Sequence, residues 1–451
     1  MRSNVAEYSA VFVALLLTAS LAVCSKIAHG AATPTRPFPQ HVRYASGVIL
    51  PDNVSQSTRD STVLKHYNSW RANYVKSVPQ TSPVQEFVQY DCVPATECKT
   101  NEGCASAVSC CPATVSEAHG YGMVISAYMA NRTDFDAMFH YFKAHPSKIA
   151  SHLMAWKQVS CGGHMVDVEG VDSATDGDLD IAYSLLLADK QWGSSGAIDY
   201  KAEALAVMGD ILAKDVNRQD WNLLCGDWAY GSDMHHTRPS DFMVDHFLAF
   251  AAADTAHHSQ WMNVYRKICS IVKYQYNFGG SAKTGLMPDF MVKSGSNFVP
   301  VSGTYLETPH DGDFDYNACR TPWRLPMAFI LSGKTDILQA LRTQDSWIQA
   351  KTGGIPTNIM AGYYVKNGPN GTAYQTFDDL CFTAPFAVEA MINSNNQAWL
   401  NSLWTSITGG DYPVRVDYYG DSIRMQVLLV ISGNWWLPGT KAAANIAPSG
   451  T

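Results

Sequence analysis

The chain has 451 residues, of which 46% are hydrophobic and 16% charged, and its 12 Trp, 22 Tyr and 17 Phe supply ample material for a packed core. This composition excludes a chain that is disordered throughout. The formal net charge is −8 and no cluster of Lys and Arg is present, which excludes nucleic acid as an expected partner, because that binding depends on clustered basic side chains.

The first 30 residues have the layout of a secretory signal peptide. Arg2 precedes an apolar stretch over residues 10–23, and small residues follow through Gly30 and Ala31, so we expect cleavage near Gly30. The apolar stretch is shorter than the roughly 20 residues that a transmembrane helix needs. We therefore expect a secreted, extracellular protein with no membrane anchor.

Ten cysteines would remain after cleavage, and an even number in an oxidising compartment predicts disulfide bonds. Five of them fall in the polar segment 92–111. Zinc is disfavoured there, because the segment has no histidine and its spacings do not form a paired C-x-x-C ligand set. Sequons at Asn53, Asn131 and Asn370 fit a glycosylated secreted protein.

Apolar residues at helical spacing dominate the rest of the chain. The predicted helices include residues 63–74, 205–212, 327–341 and 422–431. Loops rich in Gly, Pro, Ser and Asp separate them, as at 279–288, 294–312 and 366–376. We expect one all-α domain over residues 31–438, with long loops at one end and a flexible tail over 439–451. Periodicity does not distinguish a toroid of helical hairpins from an irregular bundle.

Three acidic segments also carry the glycines and aromatics that a sugar-cleaving site would use. Glycosidic cleavage needs one carboxylic acid to protonate the leaving oxygen and one carboxylate to activate water or attack carbon. In the first segment, residues 116–123 (SEAHGYGM), Glu117 lies in a first helical turn, where the dipole favours the ionised form. An acid role would then require burial or a like charge to raise its pKa. The alternative is a helix-start Glu beside a capping Ser116.

The second and third segments supply further carboxylates. In residues 174–183 (ATDGDLDIAY), Asp176 and Asp180 share a helix face. A calcium loop is disfavoured, because Leu187 stands where that motif has a bidentate Glu. In residues 305–324, Glu307 lies in an acidic loop before a helix that bears two arginines. Such a loop could place a base opposite the acid, although acidic loops are usually just solvated.

Together these segments resemble glycoside hydrolase family 8. Residues 116–123, 174–192 and 319–324 (CRTPWR) carry the resemblance, which runs from about Arg36 to Pro438. It implies an (α/α)6 barrel, no cofactor, and inverting hydrolysis of chitosan, cellulose, lichenan or xylan. The cysteine-rich segment 92–111 is then an insertion, and His119 stands where Gln is usual.

The resemblance also implies catalytic roles. Glu117 matches the proton donor, and Asp176 matches the aspartate that binds and helps distort the central sugar. One branch of the family has a base Asp where this chain has Asn317, and Asn cannot take a proton from water at neutral pH. The sequence instead resembles the branch that has a base Glu in the preceding loop, which points to Glu307.

Substrate-binding residues are predicted from side-chain chemistry. Aromatic planes stack on the apolar C–H faces of sugars, so Trp156, Trp228, Tyr121 and Tyr363 are candidates, although each alone is as compatible with the core. Asn317 and Arg320 are the predicted polar contacts, with Arg320 orienting the base or the water. We expect Arg324 to be structural.

The expected protein is a secreted, monomeric, endo-acting hydrolase of β-1,4-linked polysaccharide, such as chitosan or β-glucan, without metal or cofactor. One alternative is a xylan-specific member. Another is a non-catalytic polysaccharide-binding protein on the same scaffold, which the retention of three carboxylates disfavours.

Overall fold

The computed structural model describes residues 33–94, 110–277 and 283–439. The predicted signal peptide, most of the cysteine-rich segment 92–111 and nearly all of the predicted tail lie outside these residues. None of the described helices combines the length and the apolar character that a membrane-spanning helix requires.

Helices of the described residues alternate along the chain between an outer and an inner ring. The outer helices are α1 (Gln56–Tyr74), α3 (Arg132–Ala144), α5 (Tyr200–Asp210), α7 (His258–Tyr276), α10 (Leu338–Thr352) and α12 (Gln397–Thr405). The inner helices are α2 (Ser116–Tyr128), α4 (Thr175–Trp192), α6 (Val244–Ala253), α8 (Thr321–Arg324) continued by α9 (Met327–Ser332), α11 (Leu380–Ala390) and α13 (Tyr418–Ile431). The inner helices are buried almost all round, whereas α1 buries one face at helical spacing.

Packing between these helices closes a ring. Inner helix α2 contacts α4, α4 contacts α6, α6 contacts α9, α8 contacts α11, α11 contacts α13, and α13 returns to α2. Each outer helix packs on an inner one, for example α3 on α2, α5 on α4 and α7 on α6. The predicted all-α fold with an (α/α)6 barrel is confirmed.

Three small antiparallel sheets, which the sequence did not predict, accompany the helices. The first sheet pairs β1 (Val75–Ser77) with β2 (Glu86–Val88). The second has four strands in the order β3 (Asp91–Pro94), β4 (Cys110–Val115), β5 (Lys157–Cys161) and β6 (His164–Asp167). The third has three strands in the order β7 (His236–Thr237), β8 (Met291–Ser294) and β9 (Asn297–Pro300). Strand β4 runs directly into α2, and the Ser116 N–H donates to the Trp156 carbonyl at 2.8 Å. The second sheet therefore fixes the start of α2 beside Trp156.

The predicted helix over residues 327–341 is wrong, because the chain forms two helices there. Helix α9 ends at Gly333, whose left-handed backbone (φ 67°) caps the helix with its N–H bonded to preceding carbonyls. Glycine adopts that conformation without the strain that a Cβ atom would add. The next helix, α10, begins at Leu338 and belongs to the outer ring.

A buried ion network joins three inner helices. The carboxylate of Asp180 on α4 accepts from Arg324 Nη2 at 2.6 Å, and it lies 2.8 Å from Nε2 of His246 on α6. The three side chains are fully or almost fully buried. Arg324 therefore holds helices together and does not face solvent.

Replacing Asp180 with Asn is expected to destabilise the protein by about 3–5 kcal/mol, because the change leaves Arg324 as a buried charge without its carboxylate. Glu203→Gln is the matched control: Glu203 pairs with Lys143 on the surface at 2.9 Å, and exposed pairs contribute about 0–1 kcal/mol. Denaturant unfolding of both variants measures the difference. Equal midpoints for the two variants would contradict a structural role for the buried network.

Candidate active site

Several inner helices begin at one end of the barrel, where their first residues meet. Glu117 lies in the first turn of α2 and Asp176 in the first turn of α4. Arg320 immediately precedes α8, and Tyr418 is the first residue of α13. Hydrogen bonds between these side chains show that the four helix starts converge.

A cleft opens at this end of the barrel. A cavity of about 310 Å³ is lined by residues that include Glu117, Trp156, Asp176, Glu307 and Asn317. A second cavity of about 430 Å³, lined in part by Trp228, shares Trp156 and Glu307 with the first. The two cavities therefore form one continuous depression, which is lined by all three of the residues predicted for catalysis.

Arg320 connects the acidic residues of the cleft. Its Nη1 bonds to Glu117 Oε2 and, at 3.0 Å, to Asp176 Oδ2. Its Nη2 donates to Asn317 Oδ1 at 2.9 Å and to Ser240 Oγ at 2.8 Å. The side chain is fully buried, so this guanidinium has one fixed orientation behind the cleft.

The environment of Glu117 suits a proton donor. Burial is the main cause that raises its pKa to about 7; Arg320 opposes this rise and Asp176 adds to it. The N-cap residue of α2 is Val115, so the alternative of a capping Ser116 is wrong. Near neutral pH, Glu117 therefore exists in both the protonated and the ionised form.

Asp176 has the opposite character. Burial alone would raise its pKa, but Arg238 and Arg320 outweigh burial and hold the pKa at about 2. The Arg238 contact is 2.9 Å from Nη2 to Oδ1, and the Gly177 N–H donates to the same Oδ1 at 3.0 Å. Asp176 is thus a permanently ionised, immobilised carboxylate next to an acid that titrates near 7.

Glu307 is connected to Arg320 through the side chain of Asn317. Asn317 Nδ2 donates to Glu307 Oε2 at 2.8 Å, while Asn317 Oδ1 accepts from Arg320. Because one end of the amide must donate and the other must accept, its orientation is fixed. Burial by the cleft walls raises the pKa of Glu307, against the opposing charge of Arg238 and the Asn317 hydrogen bond.

The loop that carries Glu307 is organised around one carboxylate. Asp311 accepts four backbone N–H groups, from Tyr305 (2.7 Å), Leu306 (2.7 Å), Glu307 (3.0 Å) and Thr308 (2.7 Å). These bonds satisfy consecutive amides that would otherwise depend on water. Asp311 therefore sets the position from which Glu307 reaches the cleft.

The predicted aromatic residues separate into two groups. Trp156 and Trp228 are half-buried and line the cleft. Tyr121 and Tyr363 are fully buried, so their predicted stacking on sugar is wrong. The Tyr121 hydroxyl accepts from Arg320 at 3.2 Å, and the Tyr363 hydroxyl accepts from the Met360 N–H at 2.8 Å. Both rings belong to the main hydrophobic core.

Several residues in and beside the cleft were not predicted, among them one arginine and two tyrosines. Arg238 holds Asp176, Tyr419 lines the same cavity as Glu307, and the Tyr418 hydroxyl lies 3.5 Å from Glu117 Oε1. Arg238 begins the segment RPSDFM, but nothing in that segment indicates which carboxylate it meets. His119, next to the acid in sequence, is fully buried and bonds to the Met138 carbonyl at 2.9 Å.

No group of three or more His, Cys, Asp or Glu side chains in the ranges 33–94, 110–277 and 283–439 is arranged to hold a metal ion. The cleft instead brings together an acid with a raised pKa, a second carboxylate and two tryptophans. This combination of groups on an (α/α)6 barrel is typical of a glycoside hydrolase.

Comparison with known proteins identifies the family. The chain belongs to glycosyl hydrolases family 8, whose model matches residues 104–432. The chain is 44% identical to a beta-glucanase of Niallia circulans over 90% of this chain and 92% of that protein. It is 34% identical to an endoglucanase of Bacillus sp. strain KSM-330, over 94% of this chain and 86% of that protein.

Solved structures agree with this assignment. The apo structure of a beta-1,3-1,4-glucanase from Paenibacillus sp. X4 superposes with a TM-score of 0.80 at 44% identity, covering 90% of this chain and 100% of that chain. A cold-adapted family 8 xylanase shares the fold with a TM-score of 0.68 at 17% identity, covering 90% of this chain and 99% of that chain.

Proposed function

We propose that this protein is an endo-acting β-glucan hydrolase that cleaves with inversion of configuration. The observation that carries the proposal is the connection between its two carboxyl groups. Glu117 bonds to Arg320, Arg320 bonds to Asn317, and Asn317 bonds to Glu307. Glu117, Asn317 and Glu307 line one cavity of about 310 Å³, and Arg320 lies buried behind it. A non-catalytic binding protein would need neither the raised pKa of Glu117 nor this connection.

In the proposed reaction, protonated Glu117 gives its proton to the interglycosidic oxygen. Glu307 removes a proton from a water molecule that attacks the anomeric carbon from the other face, in a single displacement. Asn317 orients the Glu307 carboxylate, and Arg320 stabilises Glu117 once it has become ionised. Asp176, held ionised by Arg238 and Arg320, is placed to bind a sugar hydroxyl and to favour the distorted ring.

The substrate class follows from the relatives. Two relatives that align along most of this chain are named beta-glucanase and endoglucanase, and a structure at 44% identity is named a beta-1,3-1,4-glucanase. Lichenan-type mixed-linkage glucan and soluble cellulose derivatives are therefore the first substrates to test.

Chitosan is a second candidate. The carboxylate of Asp172 lies with Trp156, Trp228 and Glu307 around the 430 Å³ cavity, and a carboxylate is the acceptor that a protonated 2-amino sugar requires. The net charge of −8 also attracts a cationic polymer.

One experiment separates these substrates. Release of reducing ends is measured on lichenan, carboxymethylcellulose, chitosan and xylan, together with the fall in viscosity. We expect hydrolysis of lichenan, with viscosity falling early because chains are cut internally, and NMR detection of the α-anomer as the first product. Binding to all four polymers without new reducing ends would instead identify a non-catalytic binding protein.

The pH dependence of kcat/KM is expected to be bell-shaped. Glu117 must be protonated, so activity is lost as the pH rises through about 7. Glu307 must be ionised, so activity is also lost as the pH falls through a pKa that lies above the ordinary value for Glu. Initial rates on lichenan between pH 3 and 10 test both limbs, with residual activity at neutral pH after each incubation as the control. An alkaline limb above about pH 9 would contradict the acid assignment.

We also propose that residues 1–30 are a signal peptide and that the secreted protein is a monomer. Residues 31–438 would then form one catalytic domain with an insertion over 92–111. Cys92, Cys111 and Cys161 are disulfide-bonded, which supports an oxidising compartment. Asn53 is exposed and is the first candidate for N-glycosylation. Amino-terminal sequencing of the secreted protein tests the cleavage site, and light scattering tests the oligomeric state.

A further inference from the structure

Asp289 lies behind the cleft, where the third sheet meets the loop that carries Glu307. Its side chain is 3% exposed, and it is not among the residues that line either cavity of the cleft. A group in this position does not touch a sugar chain bound in the cleft. Any effect of Asp289 on the reaction must therefore pass through other residues.

The backbone beside Asp289 anchors the loop that carries the base. The Asp289 N–H donates to the Asp313 carbonyl at 2.8 Å, and the Phe290 N–H donates to the Asp311 carbonyl at 2.7 Å. The Asp311 side chain in turn accepts the N–H groups of residues 305–308. Strand β8 begins directly after Phe290 and pairs with both β7 and β9. The loop is therefore attached to the central strand of the third sheet.

The side chain of Asp289 holds the turn that contains Asn317. Its Oδ1 accepts the N–H groups of Asp315 at 3.0 Å and Ala318 at 2.6 Å. Its Oδ2 accepts the Asn317 N–H at 3.1 Å and also accepts from Asn317 Nδ2 at 3.4 Å. Because Asn317 Nδ2 donates to Glu307 Oε2 at 2.8 Å as well, the two hydrogens of this amide point to two different carboxyl groups. Asp289 thus fixes both the backbone and the side chain of Asn317.

We propose that Asp289 is a positioning residue for the base, which ties Asn317, and through Asn317 the carboxylate of Glu307, to the third sheet. This inference rests on the proposed role of Glu307. A base must lie within hydrogen-bond reach of the water that it deprotonates, and a displacement of about 1 Å can lower the rate by about 10²-fold. The loop backbone and the Asn317 amide are two separate attachments that both lead from Glu307 to Asp289. Asp289 itself exchanges no proton in the proposed reaction.

The variant Asp289→Asn tests this role. The substitution turns one carboxyl oxygen into an NH2 group, so at least one N–H group of the turn loses its acceptor and meets another donor. We expect kcat on lichenan to fall by about 10²-fold. KM should change by less than about threefold, because no residue that lines the cleft is replaced. Steady-state kinetics measure both constants, and a wild-type kcat in the folded variant would overturn the proposal.

A double-mutant cycle separates positioning of the base from a general loss of structure. If Asp289 acts only through Glu307, its replacement costs nothing further once the base is gone. The double variant Asp289→Asn/Glu307→Gln should therefore match Glu307→Gln alone within about threefold in kcat. Rates proportional to enzyme concentration in both variants serve as the control of the assay. A further loss above about threefold would show that Asp289 acts by another route, and the proposal would be wrong.

Asp254→Asn is the matched control for the loss of a buried carboxyl group. Asp254 is also buried, and it accepts the His257 N–H at 3.3 Å and Trp261 Nε1–H at 3.1 Å. It follows the last residue of inner helix α6 and so lies at the end of the barrel away from the cleft. Its kcat should stay within about twofold of wild type, even if the variant unfolds at a lower temperature. An equal loss of kcat in Asp254→Asn and Asp289→Asn would refute a specific role for Asp289.

Asn317→Ala decides the question if Asp289→Asn does not fold. It removes the amide between the two carboxyl groups and leaves the three backbone hydrogen bonds of Asp289 in place. A loss of kcat that disappears in the Glu307→Gln background would support the proposal, and a wild-type kcat would overturn it. Failure of the proposed function has a different signature, because Glu307→Gln would then itself be fully active on lichenan. That result would remove the base on which the inference rests.

Discussion

Replacing Glu117 with Gln is expected to lower kcat on lichenan by about 10²- to 10⁴-fold, the contribution that general acid catalysis typically makes. The amide keeps the size of the side chain but cannot supply a proton to the leaving oxygen. KM should change little, because no binding group is removed. Steady-state kinetics on the purified variant measure both constants, and circular dichroism checks that the fold is kept.

A substrate with a good leaving group distinguishes this role from a loss of structure. An aryl β-glucoside oligomer with a dinitrophenolate leaving group needs no protonation, so the variant should hydrolyse it with a much smaller defect. Glu389→Gln is the matched control, since Glu389 is also a buried glutamate of an inner helix but lies outside the cleft lining. An equal defect on both substrates would contradict the assignment of Glu117 as the acid.

Helical spacing predicts the all-α class, whereas the barrel and the roles of the three cleft carboxylates follow from the family resemblance of the motifs; the structure gives a physical reason why those motifs meet. Glu117 and Asp176 both lie in the first turns of inner helices, and inner helices of a toroid that alternates with outer ones all start at the same end. Glu307 enters from a loop at that end. The motifs identify the three residues through the family resemblance, and the fold brings them together at one end of the barrel.

Residues whose role depends on a distant partner could not be predicted. Arg238 meets Asp176 across 62 positions of sequence, and its own segment is compatible with other partners. Tyr121 lies between two glycines, a pattern that is compatible with the cleft or with the core. Here a Cβ on Gly120 would lie 2.8 Å from the Asp180 Cβ, and one on Gly122 would lie 2.4 Å from Val88 Cγ2. These glycines therefore allow close packing of α2, and Tyr121 faces the core.

The short strands were missed for a different reason. They contain between two and six residues, too few for an alternating pattern to stand out from loop sequence. Strand β4 nevertheless fixes the start of α2. The position of Glu117 thus depends on strand β4, which the sequence pattern does not reveal.

Replacing Glu307 with Gln should reduce kcat by about 10²- to 10⁴-fold as well, but with a different signature. The amide cannot take the proton of the attacking water, and a better leaving group does not remove that need. The defect should therefore be as large on the dinitrophenyl substrate as on lichenan. Assay of the same two substrates with Glu117→Gln and Glu307→Gln gives a direct comparison of the two roles.

Chemical rescue provides a further test of the base. In the Glu307→Ala variant the smaller side chain leaves space in the cleft for azide. Azide can attack without losing a proton, so it needs no base. It should restore part of the rate and give an α-glycosyl azide, because attack comes from the face opposite the departing β-linked sugar. A β-glycosyl azide would show two successive displacements, with another residue as the nucleophile of a retaining reaction and Glu307 as its acid–base catalyst. No rescue, together with full activity of Glu307→Gln, would show that another group activates the water, with Asp289 the first to examine because it accepts the Asn317 N–H at 3.1 Å.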